Sequence, residues 1–163
     1  MRDKYIRGVL VIFFSVFSFA AGLYAAEDDF FEAKVARVLS GSRIVLRGGT
    51  HVEYCGITIP NVHLPAQGVG QLARQARALN KKLVKDKTIR LEFVSVPGDS
   101  YYDPDQRKAY VFSSGVFINA RLIKEGLAVL NDDMVSGDKY YEYFQKIQKQ
   151  AMQQKRGVWK VFQ

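Results

Sequence analysis

The stretch from Lys34 to Pro60 limits the possible folds of this chain more than any other. Apolar residues recur in three short runs, Lys34 to Leu39, Arg43 to Arg47 and Thr50 to Gly56, separated by Ser40-Gly41-Ser42 and Gly48-Gly49. Glycine reaches the positive φ angles of tight hairpin turns, so the pattern predicts a three-stranded meander. A meander of this size cannot bury both faces alone, and the remaining segments must cover or close it.

Asn61 to Gly70 contains Pro65, Gly68 and Gly70, lacks periodicity and reads as a surface loop. Gln71 to Lys85 is the clearest helix. Leu72, Ala76, Leu79 and Leu83 share one face, and Arg74, Arg77, Lys81 and Lys85 form a basic stripe on the other. Such a stripe suits a phosphate backbone, and it equally suits the solvated side of an amphipathic helix. Thr88 to Val94 alternates as a half-buried strand. Pro97 to Gln106 is a polar loop whose Asp99, Asp103 and Asp105 lack calcium-loop spacing and read as turn residues.

Lys108 to Phe112 and Gly115 to Ile118 flank Ser113-Ser114 as a strand turning back on itself. Asn119 is the expected N-cap of a helix over Ala120 to Glu125, which Gly126 ends in a left-handed conformation. After a loop from Asp132 to Gly137, a last helix is expected to start near Asp138 and stop at Gly157, with Tyr140, Phe144, Ile147 and Ala151 facing inward. Trp159 would anchor the chain end in the core. This order of elements predicts an α+β, mainly β architecture: a five-stranded, partly open OB-type barrel with about three packed helices.

The 163 residues and 48% hydrophobic content fit one globular domain, taken as residues 26–163. A net charge of +8 favours anionic partners such as nucleic acid or a lipid surface, and it also aids solubility. Arg2, Lys4 and Arg7 precede an uncharged run from Gly8 to Ala26, which ends in small residues before Glu27-Asp28-Asp29. This predicts a secretory signal peptide over residues 1–25, cut after Ala25 or Ala26, with an uncleaved membrane anchor as the alternative. The mature chain is then exported, periplasmic or secreted. Cys55 is the single cysteine, so an intrachain disulfide is excluded and a small buried hydrophobe is expected. His51 and His63 have no Cys or acidic neighbour at zinc spacing.

Val35-Ala36-Arg37-Val38-Leu39-Ser40-Gly41-Ser42-Arg43-Ile44-Val45-Leu46, followed by Ile57-Thr58-Ile59-Pro60, resembles the opening of the staphylococcal nuclease (thermonuclease-like) family. Val116 to Ala128 is similar to that family's "Val-Asn, Leu, Gly-Leu-Ala" helix, Gly70-Gln71-Leu72-Ala73 to the start of its first helix, and Ala151 to Trp159 to its terminal helix. The resemblance implies the family's barrel. It also implies a set of chemical positions, most of which carry other residues here. The metal-binding aspartates fall on Ser42 and Thr58, the water-activating glutamate on Asn61, and the first arginine on Glu53. The second arginine has a candidate in Arg107, with one residue fewer before Ala109-Tyr110, and the base-covering aromatic residues fall on Asp132 and Met134.

Phosphodiester hydrolysis by the family route needs a metal, a proton acceptor and arginines clamping the developing charge. Neutral hydroxyls at the metal positions are poor ligands for Ca²⁺, which depends on carboxylate charge. The expectation is therefore an inactive, monomeric binding module without cofactor. Its first ligand is nucleic acid, met by Arg74, Arg77, Lys81, Lys85 and Lys108, with protein or a cell-envelope polymer as other partners. The alternatives are a Ca²⁺-dependent endonuclease using Arg107, and a membrane-tethered interaction domain if the N-terminal segment stays attached.

Overall fold

The computed structural model describes residues 30–60, 69–94 and 106–161. In chain order its elements are β1 (Phe31–Val38), β2 (Arg43–Leu46), β3 (His51–Tyr54), β4 (Ile57–Thr58), α1 (Val69–Val84), β5 (Thr88–Phe93), β6 (Gln106–Ser113), β7 (Val116–Phe117), α2 (Ile118–Lys124), β8 (Val129–Leu130), α3 (Tyr141–Gln153) and α4 (Val158–Val161). The expected meander forms, with β2 antiparallel to both β1 and β3. β5 pairs with the free side of β1, and β6 pairs antiparallel with β5. β6 also pairs in parallel with β3, placing Val52 opposite Arg107 and Glu53 opposite Lys108. That second pairing turns a sheet with open edges into a closed ring of five strands, β1-β2-β3-β6-β5. The barrel is therefore closed, where the sequence suggested a partly open one.

The third run of the meander is shorter than expected. It ends at Tyr54, because Cys55-Gly56 turn the chain into β4, which pairs with β8 in a small second sheet. Gly56 sits at φ +75°, a conformation that side chains other than glycine's rarely adopt. At the other end β1 begins at Phe31, because Phe31 to Lys34 find backbone partners in Leu91 to Thr88.

In α1 the buried face is Leu72, Ala76, Asn80 and Val84, while Leu79 and Leu83 are half-buried flanks. A polar residue at the third of these positions hid the stripe from a reading based on apolar periodicity. Asn80 is buried because it has work there. The Tyr54 hydroxyl donates to Asn80 Oδ1 at 2.8 Å, and Asn80 Nδ2 donates to the Ser40 carbonyl at 3.0 Å. It thus ties α1 to β3 and to the β1–β2 turn, and leaves few buried polar groups unpaired there.

Asn119 is likewise not the N-cap. Phe117 takes that position, and Asn119 lies fully buried in the first turn of α2. Its Oδ1 accepts from the Val111 N–H at 3.0 Å, and its Nδ2 donates to the Cys55 carbonyl at 2.8 Å. The left-handed Gly126 is found as expected, at φ +66°. Its carbonyl accepts from the Val158 N–H at 2.9 Å, which fastens α4 to the end of α2. α3 starts at Tyr141 rather than near Asp138, whose carboxylate instead accepts from the Val135 N–H at 2.9 Å. Phe144, Ile147 and Ala151 face the core from α3, and Trp159 packs against it half-buried.

Asn61, His63, the aspartates of the Pro97–Asp105 segment and residues 1–29 lie outside the described residues. Among the described residues no helix is long and apolar enough to cross a membrane.

Leu122 is fully buried, and Leu122→Ala should lower stability by about 2–5 kcal/mol. Asn80→Ala strands a buried hydroxyl and should cost about 1–3 kcal/mol, whereas Leu79→Ala should cost clearly less than Leu122→Ala. Urea unfolding of the three variants checks the order, and an equal loss at Leu79 and Leu122 would contradict this core.

Candidate functional site

The β1–β2 turn sits at one end of the barrel, and its geometry follows from Gly41. A Cβ on Gly41 would lie 2.6 Å from the Ala76 Cβ and 2.9 Å from Ile59 Cδ1, so only glycine lets the turn pack this closely on α1. Ser42 follows within this turn. It is buried, its N–H donates to the Ser40 hydroxyl oxygen at 3.2 Å, and its carbonyl accepts from the Tyr54 N–H at 2.8 Å. Thr58 ends β4 with its side chain exposed. The donor set offered at these two positions is one buried and one exposed neutral hydroxyl. It does not fit a hard dication, whose binding rests on anionic oxygens.

Glu53 lies on the exposed side of β3, opposite Arg43 of β2 and Lys108 of β6. Register places the three in one row across three strands, a carboxylate between two cations. Arg43 is a member of this row that sequence reasoning missed, although the Gly48-Gly49 turn fixes the register that reveals it. Arg107 belongs to the other face of β6, since successive side chains of a strand alternate. It is half-buried, and its guanidinium stacks over the Phe93 ring at 3.5 Å from the centroid. The fold thus brings Lys108, and not Arg107, beside Glu53. Of the two positions where the resemblance would place the family's base-covering aromatics, Asp132 is exposed and Met134 is buried beneath Gly56 and near Phe144.

Cys55 is half-buried in the turn between β3 and β4. Burial pushes its thiol above the ordinary range, a hydrogen bond with Tyr110 and the charge of Lys108 opposing this only in part. The Tyr110 hydroxyl is raised as well, chiefly by burial and then by Cys55. Such a thiol is a packing group and a poor nucleophile near neutral pH.

The basic stripe faces solvent along its whole length: Arg74, Arg77 and Lys81 of α1 and Lys85 just past it are exposed. Together with Ala36, Arg37, Val38 and Leu39 of β1 and its turn, these four side chains and Ala78 line a groove of about 570 Å³. Arg77 Nη2 donates to the Val38 carbonyl at 3.3 Å across it. Lys108 lies apart from this groove, in the row with Glu53. His51 is exposed at the start of β3.

These positions can be set against known proteins. The model of the family described as Staphylococcal nuclease homologue matches residues 51–161 of this chain. Two curated relatives come from Bacillus subtilis (strain 168). The SPbeta prophage-derived endonuclease YokF is 31% identical over 108 residues, which make up 66% of this chain and 36% of that protein. Endonuclease YncB is 29% identical over 108 residues, 66% of this chain and 50% of that protein. The aligned stretch thus spans half or less of either relative's length. Glu53, Thr58, Asn61, Arg107 and α1 fall inside the family match, while β1, β2 and Ser42 precede it and are joined to it by the closed barrel. With that barrel formed and most of its length matched, this chain belongs to the staphylococcal nuclease homologue family.

Proposed function

We propose that this chain is an exported domain of the nuclease fold that binds nucleic acid without hydrolysing it by the family's metal-dependent route. The observation that carries the reading is the donor set at the barrel end. Ser42 and Thr58 offer neutral hydroxyls, and Glu53 places a carboxylate where the resemblance puts a phosphate-clamping arginine. Asn61, at the aligned position of the water-activating glutamate, cannot take up a proton. Loss of a general base alone costs about 10²–10⁴ in rate, and loss of a charge-stabilising donor costs a comparable factor. Binding needs none of these groups. The exposed cations of α1, with Arg43 and Lys108 at the barrel end, supply the positive surface that a phosphate backbone requires.

A second reading is a metal-dependent endonuclease with Arg107 as its arginine and Ca²⁺ as its cofactor. The names of both Bacillus subtilis relatives, each an endonuclease, favour it.

The two readings separate in one tube. A labelled DNA incubated with the chain should show binding by fluorescence anisotropy and no cleavage on a denaturing gel, with or without millimolar Ca²⁺. Cleavage that requires Ca²⁺ would establish the second reading in place of the first. Melting curves give an independent check. The native chain should melt at the same temperature with and without Ca²⁺. The double variant Ser42→Asp/Thr58→Asp, which restores two anionic ligands, should gain at least about 2–4 °C with Ca²⁺ present. Export is tested by intact mass of the exported fraction, expected to begin at Ala26 or Glu27. The mass of the full 163 residues would favour the tethered form.

A further inference from the structure

We propose that the groove between α1 and β1 is a track for the phosphate backbone of duplex nucleic acid, separate from the family's chemical positions and leading to them. This rests on the nucleic-acid reading above and adds both the site and the form of strand it takes.

The groove has two walls, and both are cationic. α1 contributes Arg74, Arg77 and Lys81, the turn just past it contributes Lys85, and β1 contributes Arg37, an exposed residue on the strand that faces the helix across the gap. No acidic side chain is among its lining residues. Asp86 approaches one end only, pairing with Lys85 at 3.3 Å while both remain largely in water. A merely solvated helix face does not require a cation on the neighbouring strand. Arg37 makes the groove positive from both sides. Arg77, held to the Val38 carbonyl, fixes one guanidinium across it.

The dimensions suit a duplex strand. From Arg74 to Lys85, the first residue past α1 and still bonded to the Lys81 carbonyl, the chain rises about 16 Å at 1.5 Å per residue. One strand of a duplex advances about 3.4 Å per phosphate along the axis, so this length meets about five phosphates. The walls present five cations.

The lining also argues against single strands. Proteins that hold single strands combine a basic groove with aromatic side chains on which bases stack. The apolar lining here is Ala36, Val38, Leu39 and Ala78, with no ring among the lining residues. Charge is then the sole source of affinity, and the duplex carries the greater charge per unit length. The groove ends at Leu39, one residue before the Ser40-Gly41-Ser42 turn, where Gly41 lies close against Ala76 of α1. A backbone lying in the groove therefore runs up to the barrel-end turn, which Gly41 lets pack tightly against α1.

The test uses the purified full chain with a fluorescent 16-base-pair DNA and one of its single strands, titrated at several salt concentrations. Duplex should bind more tightly than the single strand. With four to five phosphates neutralised, log affinity should fall with log salt at a slope of about −3.6 to −4.5, a loss of about 150–500-fold between 50 and 200 mM. Arg74→Gln/Lys81→Gln should flatten the slope by about 1.8, and Arg37→Gln by about 0.9. Lys146→Gln/Lys149→Gln, on the exposed side of α3, should leave it unchanged. Melting curves identify any variant that is misfolded, and Arg37→Lys, which keeps the charge, should restore the slope lost in Arg37→Gln. Equal or tighter single-strand binding would overturn the duplex inference and leave the nucleic-acid reading standing. So would duplex binding whose slope ignores the groove variants. Failure to bind either DNA would overturn both.

Discussion

The parallel ladder between β3 and β6 is the constraint on which the rest of this structure depends. The two strands are far apart in sequence, and their pairing closes the ring begun by the meander. It also decides what the barrel end contains, because parallel register sets Lys108 beside Glu53 and sends Arg107 to the opposite face, over Phe93. Asn119 braces this closure. One side-chain amide satisfies the Val111 N–H on β6 and the Cys55 carbonyl just past β3, so helix α2 holds together the two strands that complete the ring. A buried amide that makes both bonds adds geometric specification that an apolar side chain of the same size would not.

The meander, the long helix and the left-handed Gly126 were legible because each rests on a local rule: glycine at a turn, apolar residues at helical spacing, glycine past a helix end. What escaped the sequence rests on tertiary partners. Asn80 and Asn119 belong to a residue type that favours caps and turns, and nothing local announces that each has two buried groups to satisfy. The split at Cys55-Gly56 was hidden because alternation runs on through the turn, and only the pairing of Ile57 with Leu130 shows that a new strand has begun. At the candidate site, the family resemblance supplied the positions of Ser42, Glu53 and Thr58, and strand register supplied Arg43. Arg37 reads as one more polar residue on a strand until the fold lays α1 beside it.

The side chains at the barrel end also contribute little to the fold. Glu53 is exposed between two exposed cations, an arrangement worth little either way to stability in water. Thr58 is exposed, and Ser42 has its backbone groups occupied by the turn and by Tyr54. None of the three supports the core cluster, which is built instead on residues such as Leu91, Leu122, Ile123 and Phe144. A barrel of this kind can therefore exchange its chemical groups with little consequence for folding, and keeping the fold says little about keeping the reaction.

The same separation sets what hydrolysis at the barrel end and the backbone binding proposed for the groove would each require. Hydrolysis requires several groups placed together within a fraction of an ångström, and each replacement removes a large factor. Backbone binding sums many weak, loosely placed charges, so it tolerates the loss of any one and needs only that they lie along a line. α1 provides that line by its helical period, and β1 provides the opposing wall because the Asn80 bond to the Ser40 carbonyl and the Arg77 bond to the Val38 carbonyl hold the helix along that strand.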